Sequence, residues 1–237
     1  MFIVVEGIDG SGKTTISRML QEKLSTLLKP RRVVWHRAPE GPIRDLLLNR
    51  TTTIAPATEV LLFVACHQWL LTNHVIPALK AGHVVILDRF TDSTIAYQGA
   101  GREWGVGEVA AKIEEHITYG GFLADKTSFQ PDHTIYVDVP QAISEARVQS
   151  RGNLDFMDKA GEAFRARVAK QMRILKNEHE NHFLQGNSAM AVSQIRNETS
   201  VEALEVAVDA WITEHRASID ASTDNLIRRD LLSDLTK

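Results

Sequence analysis

The feature that most constrains this chain is a nine-residue stretch near its start, GIDGSGKTT, at residues 7–15. Its first eight residues match the pattern G-x-x-x-x-G-K-[ST], a loop whose backbone N–H groups surround phosphate oxygens. The apolar run FIVVE precedes the loop as a strand would, and an amphipathic helical pattern follows it. This order indicates a nucleotide-binding domain in which a helix N-terminus faces the phosphates.

The loop pattern predicts roles for its own residues and for an acidic residue on another strand. Lys13 reaches the outer phosphates, and Thr14 places a hydroxyl on Mg²⁺. The apolar run VVILD ends in Asp88, and an acid at the end of a neighbouring strand holds Mg²⁺ in such proteins. We therefore expect ATP and Mg²⁺ as cofactors, with Thr14 and Asp88 at the metal. The predicted nucleotide-binding residues are Gly7, Gly10, Ser11, Gly12, Lys13, Thr14 and Thr15.

Short β-branched runs alternate with longer helical patterns. The predicted strands cover 2–6, 33–37, 84–88, 134–138 and 189–194, and the predicted helices cover 12–28, 43–49, 57–81, 107–118, 142–150, 159–183 and 201–216. This alternation is typical of an α/β fold, here a P-loop NTPase domain with a five-stranded parallel sheet and helices on both faces. We assign one domain to residues 1–216 and a polar tail to 217–237, whose structure the sequence leaves open.

Composition limits the partners. With a formal charge of −3, bulk electrostatic binding to nucleic acid is not expected. The single cysteine, Cys66, excludes an intrachain disulfide and favours a reducing, cytoplasmic location. The apolar start has no basic residues before it and leads into the phosphate loop, so it is a strand and not a signal peptide. No segment is expected to cross a membrane.

The class of nucleotide-binding protein is indicated by the motifs and domains that the chain lacks and by the positions of its arginines. The chain lacks the Asn-Lys-x-Asp sequence that reads guanine in small GTPases, and 237 residues do not supply the partner domains of a motor-type ATPase. Transfer to a monophosphate requires cations more than a general base, because the acceptor phosphate is already ionised. Arg89 directly follows Asp88 and is placed for this, and Arg37 and Arg44 are further candidates.

The stretch after the third strand is distinctive. DRFTDSTIAYQGAGR, at 88–102, closely resembles the Asp-Arg-Tyr…Ser…Ala-Tyr-Gln-Gly…Gly-Arg segment of thymidylate kinases. PDHTIYVDVP, at 131–140, resembles the fourth strand of that family, and the first loop resembles theirs in carrying an acid, Asp9. The resemblance covers about residues 1–215. It implies a homodimeric kinase that transfers the ATP γ-phosphoryl group to a deoxypyrimidine monophosphate, with dTMP giving dTDP.

The same resemblance implies roles at the acceptor. Phe63 would stack on the base, and Ser93 and Thr94 would lie at its polar edge. Tyr97 would pack under the sugar, and Asp9 would face the 3′-hydroxyl. From the residues alone, Phe63 is better explained as part of a helix core, and core packing is also the alternative for Tyr97.

A mobile cover is also implied. In the family subtype whose first loop lacks an arginine, a lid carries the catalytic arginines, and GIDGSGKT has none. The lid then falls at about 142–158, AISEARVQSRGNLDFMD, and Arg147 and Arg151 join Lys13 and Arg89 as catalytic residues. The alternative is a solvated helix with two surface arginines.

Three departures from the family pattern leave alternatives open. The loop RAPEGP, at 37–42, is shorter than the corresponding loop of the family, which usually begins Arg-Glu-Pro-Gly-Gly-Thr. Pro39 in this loop and Arg44 after it are expected acceptor contacts. His67 replaces an arginine that reads the O4 edge of the base, and Phe156 replaces a further lid arginine. One alternative is therefore a kinase for a modified acceptor, a 5-substituted dUMP or dCMP. A second is a nucleotide-binding regulator that has lost turnover.

Overall fold

The structure is a computed structural model that describes residues 1–49, 51–117, 129–150, 152, 157, 160–186, 188, 190–198 and 200–222. Its centre is a five-stranded sheet in the order β2-β3-β1-β4-β5, with every neighbouring pair parallel. The strands are β1 Phe2–Glu6, β2 Val33–Arg37, β3 Val84–Asp88, β4 His133–Asp138 and β5 Ala191–Arg196. The predicted parallel α/β sheet is confirmed; β4 begins one residue earlier than predicted, and β5 is displaced by two residues.

Helices cover both faces of the sheet, because each face carries its own apolar cluster. The α-helices are α1 Lys13–Leu27, α2 Arg44–Leu48, α3 Pro56–Leu70, α4 Ile76–Lys80, α5 Thr91–Thr94, α6 Val106–His116, α7 Gln141–Gln149, α8 Glu162–Leu184, α9 Val201–Glu214 and α10 Arg216–Ala221. A 3₁₀ turn, Gly41–Ile43, leads into α2, and π-helical turns occupy Leu71–Val75 and Ile95–Gly101.

The central strands bring the functional loops together. β1 and β3 are buried at every position and pair directly, with Val5 opposite Asp88. Because parallel strands end at the same edge of a sheet, the loop after β1 and the loop after β3 emerge side by side. The register thus places the phosphate loop next to Asp88 and Arg89.

The helical stretch from Pro56 to Lys80 requires a correction. By length and composition alone it could cross a membrane, contrary to the expectation from sequence. In the structure, Val60, Val64, Leu70 and Val75 are fully or almost fully buried in the core cluster on one face of the sheet. The π turn between α3 and α4 interrupts this stretch, which packs as a core helix of the domain.

Other boundaries shift by small amounts, and one helical region was not predicted. α8 begins at Glu162 instead of residue 159, and α9 ends at Glu214 before the short α10. The unpredicted region is α5 with the π turn that follows it, where the polar run TDST hides the helical period. Of the predicted lid, α7 and residues 150, 152 and 157 are described; of the tail, residues 217–222 are described.

Candidate active site

The phosphate loop joins β1 to α1 and depends on glycine at its turns. Gly10 and Gly12 have φ values of +74° and +93°, a left-handed conformation that favours glycine. A Cβ atom on Gly10 would lie 2.3 Å from the Ser144 carbonyl oxygen, and one on Gly12 would lie 2.0 Å from Asn197 Nδ2. The loop is therefore enclosed by α7 on one side and by the segment after β5 on the other.

Lys13, the first residue of α1, points back across the loop. Its Nζ donates hydrogen bonds to the Ile8 carbonyl oxygen and, at 3.4 Å, to Ser11 Oγ. Burial, and then the nearby positive charge of Arg89, lower the pKa of Lys13 to about 7. A phosphate group near Nζ would favour the charged form, so the arrangement suits binding of a polyphosphate anion.

The predicted metal residues meet across β1 and β3. Thr14 Oγ1 donates a 2.5 Å hydrogen bond to Asp88 Oδ2, and Arg37 Nε lies 3.7 Å from the same oxygen. Asp88 is fully buried, and its Oδ1 has no hydrogen-bond partner among the described residues. A hydroxyl beside a carboxylate with an unused oxygen is a hard oxygen donor set, which fits Mg²⁺.

Arg89 connects the two loops. Its backbone is left-handed, with φ of +75°, an uncommon conformation that clusters at functional sites. One guanidinium nitrogen pairs with Asp9 Oδ1, and the other donates to the Gly7 carbonyl oxygen and to Ser93 Oγ, both at 3.1 Å. The cation is thereby held at the point where the phosphate loop ends and the pocket beside it begins.

Asp9 is held from a second side by Tyr97. The Tyr97 hydroxyl donates to Asp9 Oδ2 at 2.7 Å and accepts from the Asp9 backbone N–H at 3.0 Å. The Arg89 guanidinium lies 5.2 Å from the centre of the Tyr97 ring. Asp9, Arg89 and Tyr97 therefore form one connected cluster.

All nine acceptor residues predicted from the sequence line a single pocket with about 540 Å³ of empty volume. Its walls come from the loop after β2, from α3 and from the segment after β3. Ala38, Leu48, Phe90, Gln98 and Met157 also line it, and none of these five was predicted. The predicted residues there are Asp9, Pro39, Arg44, Phe63, His67, Arg89, Ser93, Thr94 and Tyr97.

The innermost polar wall of this pocket is uncharged. His67 Nε2 lies 2.9 Å from Thr94 Oγ1, and its ring meets Phe90 edge-on with centroids 5.2 Å apart. Burial lowers the pKa of His67 to about 4, so the imidazole is neutral at physiological pH. Near the pocket entrance, Arg44 Nη1 donates to the Pro39 carbonyl oxygen at 2.6 Å.

Glu6 supports the site from beneath and was missed by the sequence reading. This buried carboxylate accepts from the backbone N–H groups of Phe90 and Ser93 at 2.7 and 3.2 Å, and from Ser93 Oγ at 2.6 Å. Burial and the adjacent Asp92 raise its pKa to about 7. The signal was present, since a glutamate ending a buried strand must have hydrogen-bond partners.

Of the two predicted lid arginines, Arg147 lies among the described residues and Arg151 does not. Arg147 Nη1 donates to the carbonyl oxygens of Gly10 and Asn197, both at 3.3 Å, so α7 contacts the phosphate loop. Arg151 lies outside the described residues, as does Phe156. Asn197 was also missed: its amide donates to the Ser11 carbonyl oxygen at 2.7 Å.

Comparison with known proteins gives a consistent result. The family model described as thymidylate kinase matches residues 5–198. Curated thymidylate kinases of Thermosipho africanus and Enterococcus faecalis are 36% and 34% identical over 78% and 82% of this chain, and the matches cover 88% and 91% of those proteins. The crystal structure of thymidylate kinase from Ehrlichia chaffeensis superimposes with a TM-score of 0.65 at 26% identity, covering 90% of this chain and 98% of that one.

Proposed function

Because this chain belongs to the thymidylate kinase family, we propose that the site around Asp9 and Arg89 transfers the γ-phosphoryl group of ATP to dTMP, giving dTDP. The chain is an ATP-dependent nucleoside monophosphate kinase. The observation that carries the assignment of the site is the contact between Arg89 and Asp9, which joins the phosphate loop to the acceptor pocket.

On the donor side, the loop amides and Lys13 bind the ATP phosphates, and the N-terminus of α1 favours their negative charge. Thr14 and Asp88 would hold Mg²⁺, which when bound supplies positive charge to the phosphate oxygens. Arg147 and the partly described lid act beside this loop. Since Ser144 Oγ donates to the Asp9 carbonyl oxygen at 2.5 Å, α7 also fixes the loop position.

On the acceptor side, Phe63 and Tyr97 contact the nucleoside, and Arg37, Arg44 and Arg89 provide positive charge for its phosphate. No strong base is needed, because the acceptor phosphate is already ionised at neutral pH. Arg89 neutralises charge that develops on the transferring group. Its fixed hydrogen bonds limit the reorganisation needed when both nucleotides are bound.

The base is read by neutral groups. His67 and Thr94 present hydrogen-bonding atoms at the inner end of the pocket, and either can donate or accept depending on tautomer and hydroxyl rotation. This pair can meet the O4 and N3 edge of thymine without a charge. The family assignment favours dTMP over a 5-substituted dUMP or dCMP, and an active kinase over a regulator.

We extend the proposal to the domain organisation, the cellular location and the assembly of the enzyme. The kinase domain spans residues 1–216 with a lid at about 142–158. The enzyme acts in the cytoplasm, which agrees with a free, buried Cys66 and with the core position of α3. It works as a homodimer, as the family resemblance implies.

The test is steady-state phosphorylation by the full chain of dTMP, dUMP, dCMP and their 5-hydroxymethyl derivatives, with ATP and Mg²⁺. We expect dTMP to have the highest kcat/KM. Lys13→Ala should remove at least about 99% of the activity, because a charge-assisted phosphate contact is lost. Lys170→Ala, an exposed change on α8, is the matched control and should retain wild-type activity. Equal activity of Lys13→Ala and the control would overturn the assignment of the site.

A further inference from the structure

Three side chains with metal-binding atoms meet outside the phosphate-transfer site. They are His36 on β2, Glu40 in the loop that follows, and His74 in the π turn after α3. Each offers one ligand atom, and these atoms all lie within 4.8 Å of one another. His36 Nδ1 is 3.1 Å from Glu40 Oε2, and the two imidazole rings have centroids 4.5 Å apart. No residue assigned above to ATP, Mg²⁺ or the acceptor belongs to this group.

The fold explains why these residues converge. Successive side chains of a strand point to opposite faces of the sheet. Trp35 points toward α1, where its Nε1 donates to Ser17 Oγ at 2.9 Å, so His36 points to the opposite face, where His74 lies. The loop is held in place by Cys66, whose Sγ lies 3.3 Å from both the backbone N and the backbone O of Glu40.

One imidazole of the group also has a buried ring nitrogen without a hydrogen-bond partner among the described residues. His74 Nε2 is buried and has no hydrogen-bond partner among the described residues, although buried polar atoms are normally paired. Its ring meets Trp69 edge-on, with centroids 4.9 Å apart, and this contact limits its rotation. A bound cation would give this nitrogen the partner that it lacks.

The donor chemistry selects the cation. Two imidazoles and one carboxylate are a common zinc ligand set, which leaves a fourth position for water. With Zn–N and Zn–O bonds of about 2.0–2.2 Å, tetrahedral ligand atoms lie about 3.4 Å apart. The His36–Glu40 distance already matches this, and the half-exposed Glu40 can adjust toward His74. We propose that His36, Glu40 and His74 form a zinc site.

The position of the site gives it a role. His36 and Glu40 flank Arg37, Ala38 and Pro39, which line the acceptor pocket. Zinc bound to β2, to the loop and to the π turn would fix this segment and so position it for the acceptor. This role rests on the proposed function, whereas zinc binding itself does not.

The binding test uses the full chain, freed of metal by a chelator and kept without nucleotide, in a buffer with excess Mg²⁺. Titration calorimetry with Zn²⁺ should give one strong site per chain, and Co²⁺ should give the visible spectrum of a tetrahedral nitrogen and oxygen site. His74→Gln and Glu40→Gln should each weaken zinc binding at least about tenfold, since even loss of an outer-shell partner costs that much. His116→Gln, at the exposed end of α6, is the matched control and should bind as the wild type does.

Several results would overturn the site: no strong zinc binding by the wild type, equal affinity in all three variants, or a Co²⁺ spectrum with a thiolate band, which would point to Cys66. His74→Gln could fail to fold, whereas Glu40→Gln alters a half-exposed side chain and should fold normally. Circular dichroism checks the folding of both variants, and Glu40→Gln alone still tests the site if His74→Gln is unstable.

The positioning role is tested separately, by measuring dTMP affinity with and without zinc. Zinc should tighten dTMP binding several-fold in the wild type and leave the affinity of Glu40→Gln unchanged. Zinc binding without any effect on dTMP affinity would refute the positioning role while leaving the site. A chain that binds zinc but phosphorylates no acceptor would refute the proposed function alone.

Discussion

At the scale of single residues, Asp9 resolves an apparent conflict. A carboxylate inside an anion-binding loop would repel phosphates, yet here both of its oxygens are engaged by cationic or hydroxyl partners from the neighbouring segment. The sequence alone could show that Asp9 was unusual. It could not show the pairing, because Arg89 and Tyr97 are 80 and 88 residues away along the chain.

We therefore predict that Asp9→Ala impairs acceptor use more than ATP use. The loss of two hydrogen bonds with a charged carboxylate should reduce kcat/KM for dTMP by about 10- to 100-fold. The KM for ATP should change by less than about twofold, because the loop amides and Lys13 remain. Steady-state kinetics with each substrate varied in turn measures both values.

Tyr97→Phe is the matched comparison, since it removes one of the two hydrogen bonds to the carboxylate, together with the one from the Asp9 backbone N–H, and retains the ring. Its loss should be smaller than that of Asp9→Ala. Unchanged kinetics with dTMP in Asp9→Ala would disprove the role given to this carboxylate.

At the scale of secondary-structure elements, the phosphate loop is supported by two elements that the loop motif does not specify. α7 contacts it through Ser144 and Arg147, and the segment after β5 contacts it through Asn197. Asn197 also accepts from Arg147, at 3.4 Å to its Oδ1. This buried amide therefore links the loop to α7.

We predict that Asn197→Ala weakens ATP binding specifically. Removing the amide leaves the Ser11 carbonyl without its partner, which should cost about 1–2 kcal/mol. The KM for ATP should rise about 5- to 30-fold, and the KM for dTMP should stay within about twofold. Gln194→Ala, on β5, is the control, because its side-chain amide donates to Asp138 and not to the loop. Equal effects on both substrates would show that the change is a general loss of stability.

Prediction from sequence succeeded where the pattern was local. β1 and β3 begin and end as predicted, because a buried parallel strand is a continuous apolar or β-branched run. β2 also has the predicted bounds, although its run VVWHR is only partly buried. β5 was misplaced because its residues AVSQIR mix polar and apolar side chains at a sheet edge. Asn197 had no local signal at all, since its role depends on the crossing of a distant helix.

Local sequence patterns were also insufficient to predict the residues of the acceptor pocket. Arg44 and Arg89 followed from the need for cations, but most of the nine predicted residues came from the resemblance to a family, which carries information about three-dimensional contacts that periodicity lacks. Phe63 illustrates this, because α3 is apolar on all sides and the helical pattern cannot select the residue that faces a ligand. Gln98 and Met157 were not named by either route.

At the scale of the whole molecule, the far face of the sheet carries a buried group that responds to pH. His133, at the start of β4, is 2% exposed, lies 2.8 Å from Ser193 Oγ and meets the rings of Trp211 and His215 edge-on. Burial, and then the neighbouring His215, lower the pKa of His133 to about 3. The folded protein therefore holds this imidazole neutral where the unfolded chain, with an ordinary pKa near 6.5, would protonate it.

Between about pH 6.5 and pH 3 the unfolded state binds the extra proton, so stability is lost as the pH falls and is fully present above pH 6.5. At pH 5 the expected loss from this group is about 2 kcal/mol. In His133→Asn, which keeps a polar group and cannot titrate, the free energy of unfolding should fall less between pH 7.5 and pH 5.

Urea denaturation at both pH values, with His182→Asn on α8 as the control, measures this difference. The control should lose as much stability as the wild type. A wild-type-like loss in His133→Asn would assign the acid sensitivity to another group.

The register of β1 against β3 sets a limit on how this protein can change. In the proposed function Asp88 would hold the donor's metal and Arg89 would contact the acceptor, so one peptide unit, about 3.8 Å between Cα atoms, separates the residues assigned to the two substrates. That peptide unit sets the distance between the two nucleotides. Substitutions around it can retune which acceptor is used, but an inserted or deleted residue would move one nucleotide relative to the other. The number of residues in this segment is therefore constrained, whereas the side chains around it can change.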